Sequence, residues 1–394
     1  MVLDIRSPEF RRNPYPFFRR LRAEAPICRI EPYGHWAVSR HADVFAILRK
    51  PGIFLSSATK RDSARGPELL IESNALIGSD PPDHTRLRAL VSKAFTPGMV
   101  RALEPRIRLV TKALVANMHR KGVCDLVEEF SMPLPVTIIS WLLGIDAERK
   151  GDFKRWSDTL ITWRNMTDER EIREDIREMF DYFTRLIDER RRSPKEDLVS
   201  ALVHAREGNQ ALPAHEVMSV VRLLLVAGNE TTTNLIGNTL LALISHPEIW
   251  DRARRNMALV PDLIEESLRF DGPTLSLSRR LGADTELAGV RMAKDELVLP
   301  LLASANHDES VFATPQCFIP ERKDQGHLAF GAGIHYCLGA PLARLQARVA
   351  FEELLGAFES IERVDGGPLD LVDSFFFRGV RSLKIAVRPS VGKP

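Results

Sequence analysis

The stretch Phe330-Gly-Ala-Gly-Ile-His-Tyr-Cys-Leu-Gly-Ala-Pro-Leu-Ala-Arg344 decides the reading of this chain. One cysteine, Cys337, stands among three glycines, Gly331, Gly333 and Gly339, and behind Pro341 a helical pattern runs over residues 342–358. Glycines this dense let a backbone turn tightly and approach a large flat group with no side chain in the way. A cysteine at the head of a helix faces unpaired amide donors and the positive dipole end, which favour thiolate over thiol. Thiolate is what a soft transition metal prefers, and as an axial ligand it drives electron density into haem iron. Other readings of these residues compete. A dinucleotide loop would need its third glycine where Tyr336 stands, and zinc would want paired cysteines, whereas the chain holds no C-x-x-C. Plain burial is the commonest fate of a lone cysteine.

The spacing separates these readings. Phe330, Gly333, Cys337 and Gly339 fill the pattern F-x-x-G-x-x-x-C-x-G, which resembles the haem-binding loop of the cytochrome P450 family. The resemblance implies a mainly α fold with smaller β-sheet regions (α+β), a single large domain over residues 1–394. It implies Cys337 as the proximal iron ligand, with Phe330, Gly331 and Gly339 shaping the turn beside the cofactor. That cofactor is haem b, held without covalent attachment because no C-x-x-C-H site is present.

Composition sets the outer bounds. The chain has 394 residues, 44% of them hydrophobic, and a net charge of only +2, so no strong field points to nucleic acid. Cys28, Cys124, Cys317 and Cys337 lie far apart, which suits a reducing cytoplasm better than a disulfide framework. The first ten residues carry charges where a secretory leader needs an apolar run. The most apolar later stretch, 217–244, is interrupted by Arg222, Asn229 and Glu230, so it reads as a buried helix and no membrane insertion is expected.

Helical spacing runs through residues 15–25, 41–48, 99–121, 133–143, 150–166 and 169–192, and residues 36–39 read as a strand. Residues 57–80 read as a long loop. Arg190, Arg191 and Arg192 read as a solvated helix end. After Asp80-Pro-Pro-Asp83 a helix is expected with Asp83 as its N-cap, and His84 and Arg88, four apart, share one face of it. Such a pair is either a solvated basic face or two donors aimed at carboxylates, and haem carries two propionates.

A single long helix is expected over residues 214–245, and it holds Ala227-Gly-Asn-Glu-Thr-Thr-Thr233. Glycine, a carboxylate and three β-branched alcohols are costly inside a buried helix. They read either as a Thr-rich bend with a structural acid or as a groove at Ala227 and Gly228 where a small ligand sits. The string resembles the family's oxygen-activation segment, in which the alcohol, here Thr231, steadies dioxygen and the acid, here Glu230, feeds protons. Glu266 and Arg269, three apart on a helix, resemble the family's E-x-x-R pair, with Arg322 as the implied third member and a structural role. By the same resemblance Arg279 or its neighbour Arg280, together with His335, implies further propionate donors. Phe375-Phe-Phe377 looks like the turn that dips into the substrate cavity, although core packing accounts for it equally.

The activity implied is a haem-thiolate monooxygenase that inserts one oxygen atom from dioxygen into a C–H or C=C bond of a bulky apolar molecule: a terpenoid, steroid, polyketide or macrolide, or fatty acid. Candidate substrate contacts are Leu223, Ala227, Phe375, Phe376, the 57–80 loop and the connection holding Trp163, Asn165 and Met166. The sequence shows no fused flavin or iron–sulfur domain, so electrons from NAD(P)H are expected through a separate ferredoxin or flavodoxin with its reductase, docking on Lys93, Arg344 and Arg348. A monomer is expected. The alternatives are a peroxide-driven haem peroxygenase and a haem-binding sensor without turnover; the Glu230–Thr231 pair argues against both.

Overall fold

A computed structural model describes residues 2–390 apart from 6, 32, 58–75, 150, 154, 157–158, 160–168, 208–209 and 324–325. Most of the expected loop at 57–80, most of the expected helix at 150–166, and Trp163, Asn165 and Met166 lie outside the described residues. The chain is mainly helical with small sheets, as expected, and divides into two compact units: Met1–Leu55 with Leu103–Leu134 and Thr231–Pro394, and Ser56–Ala102 with Pro135–Glu230. Among the described residues no helix is long and apolar enough to cross a membrane.

The first unit is built on helix Ala340–Ala357. Its apolar spacing buries Leu342, Leu345, Val349 and Leu354, and it packs against helices Glu104–Lys121 and Val260–Asp271. Burying side chains of this kind stabilises by roughly 1.5–3 kcal/mol each. Along the seam Arg108 bonds Glu104, Glu352 and Glu353, while Arg348 bonds Glu104 and Glu352. The same unit holds a six-stranded sheet in the order Val2–Asp4, Ile27–Glu31, His35–Val38, Leu297–Pro300, Arg279–Leu281, Phe54–Leu55. In strand Arg279–Leu281 the side chains alternate, so Arg279 and Leu281 are buried while Arg280 is only half-buried.

In the second unit helix Glu169–Arg192 packs on helices Leu198–His204 and Ala214–Ala227. The basic end of the long helix departs from expectation. Arg190 is buried, donating from Nε to Asp197 at 2.5 Å and from Nη2 to the Gly144 carbonyl at 3.0 Å; only Arg191 and Arg192 are exposed. A buried guanidinium needs such partners. The expected helix over 99–121 is broken at Leu103 into Pro97–Ala102 and Glu104–Lys121.

Candidate active site

The backbone around Cys337 is a closed loop. The Cys337 amide donates to the Phe330 carbonyl at 3.0 Å, and a short 3-10 turn, Gly333–His335, lies between them. Gly331 and Gly333 both have φ of 70°, a conformation that side-chain-bearing residues rarely adopt. Gly339, at φ −80°, needs no such freedom; it is the N-cap of helix Ala340–Ala357. Cys337 therefore precedes the helix by two residues, where the dipole and the open amides favour negative charge. It is half-buried and in no disulfide.

The sequence-predicted trio comes together. Arg269 grips Glu266 with two bonds of 2.7 Å, and Arg322 Nε lies 3.3 Å from each oxygen of the same carboxylate. Arg269 also donates to the carbonyls of Asn306, Pro315 and Cys317, and the Ile319 amide donates to Glu266. All three side chains are buried, so the cluster ties helix Val260–Asp271 to the irregular segment before the cysteine loop.

The alternation of its strand also separates the two candidate arginines. Arg280 reaches Asp295 at 2.6 Å, whereas Arg279 is the buried one. His335 is half-buried on the cysteine loop. In the second unit, helix Asp83–Ala94 is capped by Pro82 with no side-chain bond, which corrects Asp83 as N-cap. Asp80 instead accepts from the amides of Ser56 and Ser57. His84 is buried and Arg88 half-buried on their common face. Arg86, which sequence reasoning passed over, lies off that face and holds Glu216 through both Nη atoms. An acidic residue 130 positions away leaves no local signal.

The long helix expected over 214–245 is interrupted where the costly residues fall. Helix Ala214–Ala227 ends at Gly228, and a second helix begins at Glu230. A Cβ on Gly228 would lie 2.7 Å from Ile139 Cδ1 and 2.9 Å from the Leu224 carbonyl oxygen. The missing side chain at Gly228 therefore makes room for Ile139 of helix Pro133–Leu142. Ala227 is the exposed small residue, and Leu223, one turn earlier, is half-buried. Phe375 and Phe376 are half-buried against the aromatic core around Phe10, with ring centroids 6.0 Å apart for Phe10–Phe375 and 5.8 Å for Phe375–Phe376.

The basic residues expected to dock a redox protein are engaged within the chain. Arg344 binds Glu265, Arg348 binds Glu104 and Glu352, and Lys93 donates to the Arg206 carbonyl. Burial pushes the Glu265 carboxyl up, but bonds from Arg344 and His327 outweigh it and hold it at about 2.

These residues fit a haem. A half-buried thiol at a helix head is a soft donor, glycines keep its loop free of bulk, and Arg279, His335, His84 and Arg88 are cationic or donor groups suited to carboxylates. Among the described residues no group of three or more His, Cys, Asp or Glu side chains offers a competing metal site.

Comparison with known proteins agrees. The family model described as Cytochrome P450 matches residues 2–374. The solved structure of cytochrome P450 CYP109Q5 from Chondromyces apiculatus is 39% identical, with a TM-score of 0.91 and 99% of each chain covered. CYP109E1 from Bacillus megaterium, solved in complex with testosterone, is 36% identical with a TM-score of 0.87, covering 95% of this chain and 99% of that one. The cytochrome P450 monooxygenase PikC of Streptomyces venezuelae is 37% identical over 98% of this chain and 94% of its own length. With a cysteine loop of this geometry and likeness along nearly its whole length, the chain belongs to the cytochrome P450 family, monooxygenases that use haem iron and dioxygen.

Proposed function

We propose that the chain hydroxylates a steroid-sized apolar molecule, with Cys337 as the proximal iron ligand and electrons delivered by a separate protein. The observation that carries this reading is the loop itself: a half-buried thiol behind two left-handed glycines and ahead of an 18-residue helix. Bound haem iron would supply dioxygen activation and oxygen transfer to carbon.

The chain's own residues do the rest. Cys337 would supply electron density to the iron, and the helix end behind it favours thiolate over thiol. Arg279, His335, His84 and Arg88 are the groups that would hold the propionates; Arg280 is committed to Asp295. Glu230 and Thr231 stand at the start of helix Glu230–Ser245, directly after the break at Gly228. There Glu230 passes protons and the Thr231 hydroxyl holds them at the oxygen being reduced. Phe330, Gly331 and Gly339 shape the cofactor-facing side of the cysteine loop. Leu223, Ala227, Phe375 and Phe376 offer apolar surface to the substrate. The relative solved with testosterone supports a steroid.

Electrons come from NAD(P)H through a ferredoxin or flavodoxin and its reductase. Its docking surface excludes Arg344 and Arg348 as free cations, since both are ion-paired. The enzyme works as a monomer in the cytoplasm, a setting supported by four cysteines kept apart and unbridged.

Turnover of testosterone with a ferredoxin, its reductase, NADPH and isotopically labelled dioxygen tests this reading. Label is expected in a hydroxylated product only when the electron chain is complete. Product formed as fast from peroxide alone would replace the reading with a peroxygenase.

A further inference from the structure

We infer that Arg344, gripped by Glu265, is the strut that fixes the Cys337 loop, and is therefore a positioning residue for the thiolate. The inference rests on the reading of Cys337 as the iron ligand. Glu265 and Glu266 are neighbours on helix Val260–Asp271, and successive side chains on a helix diverge by about 100°. The helix thus sends its two carboxylates to different places. Glu266 and its arginines bind residues 306–322. Glu265 binds Arg344 bidentately, with Nε–Oε1 at 2.6 Å and Nη2–Oε2 at 2.8 Å.

What remains of the guanidinium grips the loop at both ends. Nη1 lies 3.1 Å from the hydroxyl of Tyr336, the residue before Cys337. Cζ lies 4.5 Å from the ring centroid of Phe330, whose carbonyl closes the loop on the Cys337 amide. One planar, five-donor group meets all three partners at once, which an ammonium cannot do. His327 completes the clamp. Its Nδ1 accepts from the Ala329 amide at 3.3 Å, so Nε2 carries the proton and donates to Glu265 at 3.1 Å. The Arg344–Glu265 pair brings no net charge to the loop. Removing either partner therefore changes two things: the hold on the loop and the local potential.

The test uses the full-length, haem-loaded protein as wild type, Arg344→Gln, Arg344→Lys, Glu265→Gln and Arg348→Gln. The readouts are the rate at which the red-shifted carbonmonoxy Soret band converts to the non-thiolate form, the ferric/ferrous midpoint potential, and thermal melting. Arg344→Gln is expected to convert at least about tenfold faster, in line with a lost charge-assisted bond, and to shift the midpoint negative. Glu265→Gln is expected to shift the midpoint positive. Arg344→Lys, which keeps the charge, is expected to hold the midpoint near wild type while still converting faster; it also serves if the glutamine variant does not fold. Arg348→Gln, one helical turn away and bonded to Glu104 and Glu352 instead, is expected to behave as wild type. Wild-type conversion and midpoint in Arg344→Gln and Arg344→Lys would overturn the inference. So would equal effects from Arg348→Gln, or band conversion that merely follows melting. A wild type without the red-shifted band would overturn the Cys337 reading and this inference together.

Discussion

Two glycines of the cysteine loop form a matched pair for experiment. Gly331 and Gly333 share φ of 70°, yet a Cβ on Gly331 meets nothing within 4 Å, whereas one on Gly333 would lie 2.3 Å from the Leu48 carbonyl oxygen. Alanine at either site carries the left-handed penalty, about 1–2 kcal/mol. Only at 333 must the loop or the end of helix His41–Leu48 also retreat, by roughly 1 Å to reach ordinary contact, at the ~1–3 kcal/mol typical of overpacking. Gly331→Ala should therefore cost about 1–2 kcal/mol and Gly333→Ala about 2–5 kcal/mol. Guanidinium denaturation of both variants beside wild type gives the difference, and haem retention after gel filtration shows whether the loop has moved. Equal costs at the two sites would refute the claim that Gly333 is held by contact with Leu48, leaving backbone conformation as the whole effect.

Other outcomes follow from individual groups. His307 is buried, its Nε2 donating to the Phe270 carbonyl, and burial lowers its pKa to about 3. It stays neutral in the fold and gains a proton on unfolding below about 6.5, so its stabilisation is whole above that pH and is lost as pH falls towards 3. Wild type should lose about 2 kcal/mol between pH 6.5 and 5 that His307→Gln does not lose; parallel pH profiles would contradict this. Asp197→Asn removes the buried carboxylate of Arg190, leaving only the exposed Glu189 side chain beside it, and should cost about 3 kcal/mol in thermal or chemical unfolding. A cost below about 1 kcal/mol would mean that Arg190 is as solvated as the sequence suggests. Thr231→Ala should consume NADPH without matching product, lowering the product-to-NADPH ratio several-fold; an unchanged ratio would remove Thr231 from proton handling.

What the sequence makes legible here is local. Residues 169–192 and 41–48 carry a regular apolar spacing, and the helices begin and end where that spacing does. The cysteine loop is legible for the same reason, since its glycines, cysteine and proline act within fifteen residues. The Glu266, Arg269 and Arg322 cluster spans more than fifty residues, and it was reached through family likeness, because two charges three apart on a helix carry little information by themselves.

The misses are pairings between distant positions. Arg190 lies in a run of five basic and acidic side chains that looks like a solvated helix end, and its burial depends on Asp197 and on a carbonyl of the turn at Gly144. Gly228 makes room for Ile139, 89 positions earlier in the chain, a contact that no local spacing announces. Arg344 looks like a docking cation until Glu265 and Phe330 are brought beside it. In each case the residue type is legible and its partner is not, because charge and size are written locally whereas partners are set by packing.

The central claim is thiolate ligation by Cys337. The reduced, carbonmonoxy absorption spectrum of the purified protein, recorded beside Cys337→Ser, tests it most directly. The account predicts a strongly red-shifted Soret band in wild type that the serine variant lacks. A Soret band at the position of histidine-ligated haem in wild type, or the same band in both proteins, would contradict it.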